Sequence, residues 1–305
     1  MCWVLVALFL SALSIRAQTI TQTFGSGANA FSIDFVKVAN PGNAPNTDTI
    51  QSVGSVAYTY NIGKYEVSRD IINKANVFGS LGITLGDLSN YGGNGLNRPA
   101  SGISWNEAAR FVNWLNTSKG FQLAYNFSAG GIIQKWDLGQ YTGTTQYRNK
   151  DAYYFLPNLD EWHKAAYYDP NKPGGAGYWK YPTKSDNPPV PISAGTSAGT
   201  VVYDNQSSPA DITNAGGLSA YGTMAQGGNV SELTEEWWRP RGGGWRDNTS
   251  PMLTTYDSNP EIGSFDPSYA NFYFYGFRVA MIPEPSTFSL LAVSLGGLVA
   301  FRRRK

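Results

Sequence analysis

Apolar and polar positions alternate from Phe31 to Phe35, with Ser32 and Asp34 between the hydrophobic residues, a pattern that predicts a half-buried strand. Asn40-Pro41-Gly42-Asn43 then turns the chain, and Val56 to Ile62 reads as a second strand. The period changes after that. Ser68 is placed to cap a helix, with Val67 and Ile72 as a hydrophobic staple and Ile71, Ile72 and Ala75 on its inner face. Ser104-Trp105-Asn106-Glu107 is a capping box, followed by Ala108, Phe111, Val112 and Leu115 at helical spacing up to Gly120. Asn158-Leu159-Asp160-Glu161 opens a third helix with Leu159, Trp162 and Ala166 on one face. Elsewhere the chain is rich in Gly, Pro, Asn and Tyr, as in Tyr91-Gly92-Gly93-Asn94 and Lys172-Pro173-Gly174-Gly175. Interleaved aromatic rings supply burial there, so these runs read as ordered turns. No internal repeat or long linker divides the middle of the chain, which reads as one domain with short helices and little other regular structure.

Both ends are apolar. Trp3 to Ser14 has the length of a secretory leader's apolar segment, and Ala17 offers a small residue for cleavage, so residues 1–17 are expected to be removed by signal peptidase. A buried N-terminal strand is the alternative. At the other end Pro283-Glu284-Pro285-Ser286 precedes the apolar run Thr287 to Phe301 and the basic residues Arg302, Arg303, Arg304 and Lys305. A helix over 287–301 reaches only ~22 Å at ~1.5 Å per residue, short of a ~30 Å hydrocarbon core, and its basic end belongs on the cytoplasmic side. The motif, short span and basic end in this order resemble the PEP-CTERM protein-sorting signal over 282–305. That resemblance implies export, a transient membrane anchor through the C-terminal helix and recognition by an exosortase, with the cell surface or extracellular matrix as destination. An ordinary tail anchor is the alternative.

Composition narrows the chemistry. Among 305 residues there is one cysteine, Cys2, inside the leader, and one histidine, His163. A mature chain without thiols holds no disulfide, thiol nucleophile or cysteine-bound copper or zinc, and a lone histidine excludes two- and three-His zinc and iron sites. Any metal is left to oxygen donors. Basic and acidic residues nearly balance, 23 against 22, and the exported part is mildly acidic once Arg16 and the terminal basic cluster are set aside, which argues against nucleic acid as a partner.

Seven segments in order carry a second resemblance: Ile62 to Ser68 (IGKYEVS), Gly102 to Ala108 (GISWNEA), Leu156 to Trp162 (LPNLDEW), Tyr221 to Met224 (YGTM), Gly228 to Glu232 (GNVSE), Arg241 to Trp245 (RGGGW) and Gly276 to Ala280 (GFRVA). The set resembles the sulfatase-modifying factor family, also called formylglycine-generating enzyme-like, over roughly Phe31 to Ala280 within a domain of residues 18–281. The resemblance implies a single compact α+β domain related to C-type lectin folds, with few strands, short helices and long ordered loops, ahead of the C-terminal transmembrane helix. Enzymes of that family oxidise a sulfatase cysteine to formylglycine through two copper-binding cysteines, whose positions fall near Asp247 and Met252. Neither residue supplies a thiolate, so no catalytic residue is carried over, and copper, zinc and iron are not expected.

The resemblance also implies a calcium site, which maps to the backbone carbonyls of Gly228 and Val230 and the side chain of Glu232, with Ala225 where the family has an Asp or Asn ligand. The alternative for Glu232 is a hydrogen-bond acceptor that pins its loop. Trp179, Trp237, Trp238 and Trp245 are candidate ligand-binding rings, because flat aromatic faces suit sugars and peptide segments. The expected role is a non-catalytic binding or structural module for a glycan or another surface protein. A competing reading places glycosidase chemistry on Glu232, Glu235 and Glu236, since paired carboxylates are what that mechanism requires. His163, on the third helix without an identifiable Ser or Asp partner, reads as an ordinary surface or packing histidine. Asn116, Asn126, Asn205, Asn229 and Asn248 each begin an Asn-X-Ser/Thr pattern and are expected to mark loops.

Overall fold

A computed structural model describes residues 19–142, 145–236, 239–256, 266–269 and 274–283. The leader, Trp237, Trp238, Glu284, Pro285, the apolar run 287–301 and the basic cluster Arg302 to Lys305 lie outside the described residues. Among the described residues no helix is long and apolar enough to cross a membrane.

The main sheet is antiparallel. It comprises β1 (Thr19–Phe24), β2 (Phe31–Val38), β3 (Tyr60–Gly63), β4 (Tyr154–Phe155) and, after two strands introduced below, β7 (Ala280–Met281), in the spatial order β1-β2-β3-β7-β4. β2 runs past the alternating stretch to Val38, and its Phe31, Ile33, Phe35 and Val38 are buried. Of the span Val56 to Ile62, only the end becomes strand. Upstream, the Asn43 amide stands in for a ladder partner, donating to Gly54 O (2.7 Å) and accepting from Val56 N (3.3 Å).

The helices start where their caps place them: α1 (Arg69–Gly79), α2 (Trp105–Ser118) and α3 (Leu159–Tyr167). Ser68 accepts from Ile71 N, and both capping boxes are complete, Ser104 with Glu107 and Asn158 with Glu161. α2 covers the sheet with Phe111, whose ring meets Phe31 at 6.4 Å and Phe277 edge-on at 5.7 Å. Asn116, far from marking a loop, is fully buried; its amide donates to Tyr154 O (2.8 Å) and accepts from Tyr153 N and Tyr154 N, fastening β4 to α2. Long loops fill the rest, stitched by short pairs such as Asn126–Phe127 with Ile133–Gln134. Two more strands, β5 (Ser231–Leu233) and β6 (Tyr275–Phe277), pair in parallel beneath the loops that carry the candidate site.

Candidate functional site

The recurrent segments converge on a buried ion pair. Glu232, on β5, accepts from Arg278 Nε at 2.6 Å and from Trp162 Nε1 at 2.6 Å, and its second oxygen accepts from Arg278 Nη2. Arg278 also donates to Gly63 O and Met224 O, both at 2.8 Å. One guanidinium therefore ties together the end of β3, the Tyr221 to Met224 loop and β5, while Trp162 adds α3. An arginine within the apolar Gly276 to Ala280 run, flanked by Phe277 and Val279, was the signal for this: a buried guanidinium requires a counter-charge.

This geometry bears directly on the calcium expected at Glu232. Both Glu232 oxygens are engaged with Arg278, so a calcium ion at that carboxylate would compete with a guanidinium that also donates to Gly63 O, Lys64 O and Met224 O. Glu232 N and O also exchange hydrogen bonds with Arg241, which makes Glu232 the pin of its loop. Gly228 and Asn229 adopt φ of 72° and 57°, and Ala225 adopts 61°. The turn is held by Glu66, which accepts from Asn229 Nδ2 (2.5 Å) and Val230 N (3.2 Å). Burial, and then the Glu232 charge, push the Glu66 carboxyl up to about 8 despite Arg278 nearby.

The three glutamates proposed for glycan cleavage are each engaged with other groups. Glu232 belongs to Arg278. Glu235 is buried 3.5 Å from Arg148 Nε, and that arginine is already paired with Glu161 at 3.0 Å; burial pushes the Glu235 carboxyl up to about 8. Glu236 accepts from Leu159 N (3.0 Å) at the start of α3 and is pushed up by burial to about 7. His163 is buried, its Nε2 within 3.2 Å of Asn46 Nδ2 and 3.1 Å of Thr254 Oγ1, with Tyr167 and Tyr178 against the ring. Burial, and then Arg241, push it down to about 3, so it is a neutral packing residue at ordinary pH.

The tryptophans divide. Trp245 is fully buried against Phe274 (4.9 Å) and Tyr91 (6.1 Å), so it is a core residue and not a ligand platform. The glycines before it allow this: a Cβ on Gly242 would lie 2.6 Å from Gln226 O, so only glycine lets the loop settle closely enough to bury the indole. Trp179 is half-buried, with its Nε1 on Asp169 (3.1 Å) and Lys172 Nζ 4.5 Å above the ring, so one aromatic face is already occupied.

Asp247 and Met252, near which the family's cysteines are expected to fall, lie in different surroundings. Met252 is fully buried, packed with Tyr181, Val201 and Tyr203, and its carbonyl accepts from Tyr167 Oη at 3.0 Å. Asp247 is exposed. Its carboxylate accepts from Gly244 N (2.8 Å) and borders a cleft of about 270 Å³ shared with Ser231, Pro251, Tyr256, Phe274 and Tyr275. Burial, and then the charge of Asp247, raise the Tyr275 hydroxyl above its ordinary value. None of these three rings stands in a segment whose sequence pattern marks a binding site. Among the described residues no three His, Cys, Asp or Glu side chains converge as a metal centre built on them would require.

The sulfatase-modifying factor enzyme 1-like domain family matches residues 37–281, and the PEP-CTERM protein-sorting motif matches residues 282–305. The chain belongs to this family and is an exported protein. Among solved structures it is similar to Treponema denticola variable protein 1, with 18% identity over 87% of this chain and 99% of that one and a TM-score of 0.58. It is also similar to CarF, with 20% identity over 83% and 99% and a TM-score of 0.51. These likenesses show the fold alone. No curated protein gives a significant match.

Proposed function

We propose that this domain holds a ligand at the cell surface or in the extracellular polysaccharide matrix, after processing by signal peptidase and exosortase, and oxidises nothing. The observation that carries this reading is the fate of the two cysteine positions. Of the two residues that the resemblance puts near them, Met252 is a core thioether and Asp247 borders an open cleft walled by Tyr256, Phe274 and Tyr275. Aromatic faces beside a carboxylate and the Ser231 hydroxyl suit a sugar ring, which offers apolar faces and hydroxyl donors together. A surface protein is the other ligand class that the same faces accept. Carboxylate-based glycan hydrolysis has less support, because Glu232, Glu235 and Glu236 are each engaged elsewhere.

The test is retention on extracellular polysaccharide from the native host, with released reducing ends measured on the same sample. Retention without release is expected. Tyr256→Ala and Asp247→Asn should each weaken retention about tenfold, equivalent to about 1.4 kcal/mol, with unchanged melting temperature. Release of reducing ends that is lost in Glu235→Gln would support the hydrolase instead, and absence of retention on every glycan would leave a structural matrix role.

A further inference from the structure

β2 has a neighbour on both sides along only part of its length. β1 pairs with Phe31 to Val36, but β3 pairs only with Phe35 to Val38. Lys64 N still reaches Asp34 O at 2.7 Å; the chain then turns away, and Val67 N bonds Phe277 O instead. In an antiparallel ladder the N–H and C=O of alternate residues point to the same side. Those of Ser32, two residues from Asp34, therefore point to the side that β3 has left.

A cleft of about 310 Å³ lies there, lined by Ser32 and walled by Ile33, Tyr65, Val67, Ile71 and Val279. Of its titratable groups Glu66 is buried on Asn229 and Val230, and Lys74 is held by Asp70 at 2.7 Å, which leaves Asp34 as the unbalanced charge of the cleft. It has little to offer an anion. The first amides of α1 are already engaged: Arg69 N by Arg98 O, Asp70 N by Leu96 O and Ile71 N by Ser68 Oγ.

The geometry points to a docking site for an extended, basic peptide segment of a partner protein, which adds to β2 as a short strand, hydrogen-bonds to the Ser32 backbone and buries an apolar side chain against Val67 and Ile71. A free backbone edge selects an extended chain, the apolar walls select alternate aliphatic residues, and Asp34 selects Lys or Arg. The site shares no lining residue with the Asp247 cleft, so either can fail without the other.

The probe is the blocked peptide acetyl-Val-Lys-Val-Thr-Val-amide, titrated into the isotope-labelled protein and followed by amide shifts and hydrogen exchange. The Ser32 amide is expected to exchange freely in the unbound protein and to slow at least tenfold at saturation, with shifts at Asp34, Ile71 and Val279. Ser32→Ala should bind as the parent does. Ser32→Pro removes the outward N–H, fixes φ and takes away the hydroxyl for which Ser32→Ala is the control, and should abolish binding. Should that variant fold poorly, Thr213→Trp, at an exposed lining position, should block the cleft instead. A Ser32 amide already protected without peptide, no shifts at millimolar peptide, shifts confined to the Asp247 cleft, or equal binding of a peptide with Glu in place of Lys would each overturn the proposal.

Discussion

Glu232→Gln is expected to destabilise the protein by about 3–5 kcal/mol, the cost of leaving a buried charge without its partner. Arg278 is fully buried, and its guanidinium links β3, β5 and the Met224 loop, so loss of the carboxylate leaves a cation with carbonyl acceptors alone. Arg278→Met should cost a similar amount. The double variant should cost much less than the two together, because both charges leave and the coupling between them is removed. Urea unfolding of the four proteins measures this directly. Millimolar calcium should leave the parent's melting temperature in place, since a bound cation would stabilise the folded state by mass action. A calcium-dependent rise that is absent in Glu232→Gln would return the carboxylate to a metal. Loss of any activity in a Glu232 variant must also be separated from loss of fold before it is read as catalysis.

Stability should be greatest near pH ~5 and least near pH ~8, a difference of several kcal/mol. Glu66 and Glu235 are pushed up to about 8 and Glu236 to about 7, each chiefly by burial. Between the ordinary carboxyl value of 4.5 and these values the folded chain keeps protons that the unfolded chain has released. Stability therefore falls as pH rises through that window, by ~1.4 kcal/mol per group per pH unit. Lys164 works in the opposite sense: burial pushes it down from 10.5 to about 8, so stability recovers as pH rises between those values. On the acid side, His163 is held neutral down to about 3, and stability rises with pH from there towards 6.5 until the carboxyls outweigh it. Urea unfolding at pH 5, 8 and 10 checks the profile. Glu235→Gln should flatten the fall by about one proton's worth of slope. A stability that rises steadily from pH 5 to pH 8 would show that these carboxyls are ionised in the fold.

Local chemistry was readable where it is local. Ser68, Ser104 and Asn158 announce their helices because each cap is completed within four residues. The long-range knot was not readable in the same way. Gly228 to Glu232 and Gly276 to Ala280 stand out as segments, yet nothing in either says that Glu232 will meet Arg278 across 46 positions. What can be read is that Arg278 is a charge between the apolar Phe277 and Val279, which requires compensation somewhere. Trp245 shows the converse error. A tryptophan in a glycine-rich loop looks exposed, but those glycines permit the close backbone approach that buries it. β1 passed unnoticed beside the leader, although Ile20, Gln22 and Phe24 alternate with the more exposed Thr19, Thr21 and Thr23 in a strand pattern. Thr21 and Thr23 bond across to Asp34 and Ser32. The Asp247 cleft draws Tyr256, Phe274 and Tyr275 from separate segments, so only the fold brings its rings together.

The most direct measurement incubates the purified protein with a cysteine-containing peptide from a sulfatase, copper and oxygen, then reads the peptide by mass spectrometry. The peptide should be recovered unchanged, because neither Asp247 nor Met252 can ligate copper as a thiolate. Conversion of its cysteine to the aldehyde would contradict the account.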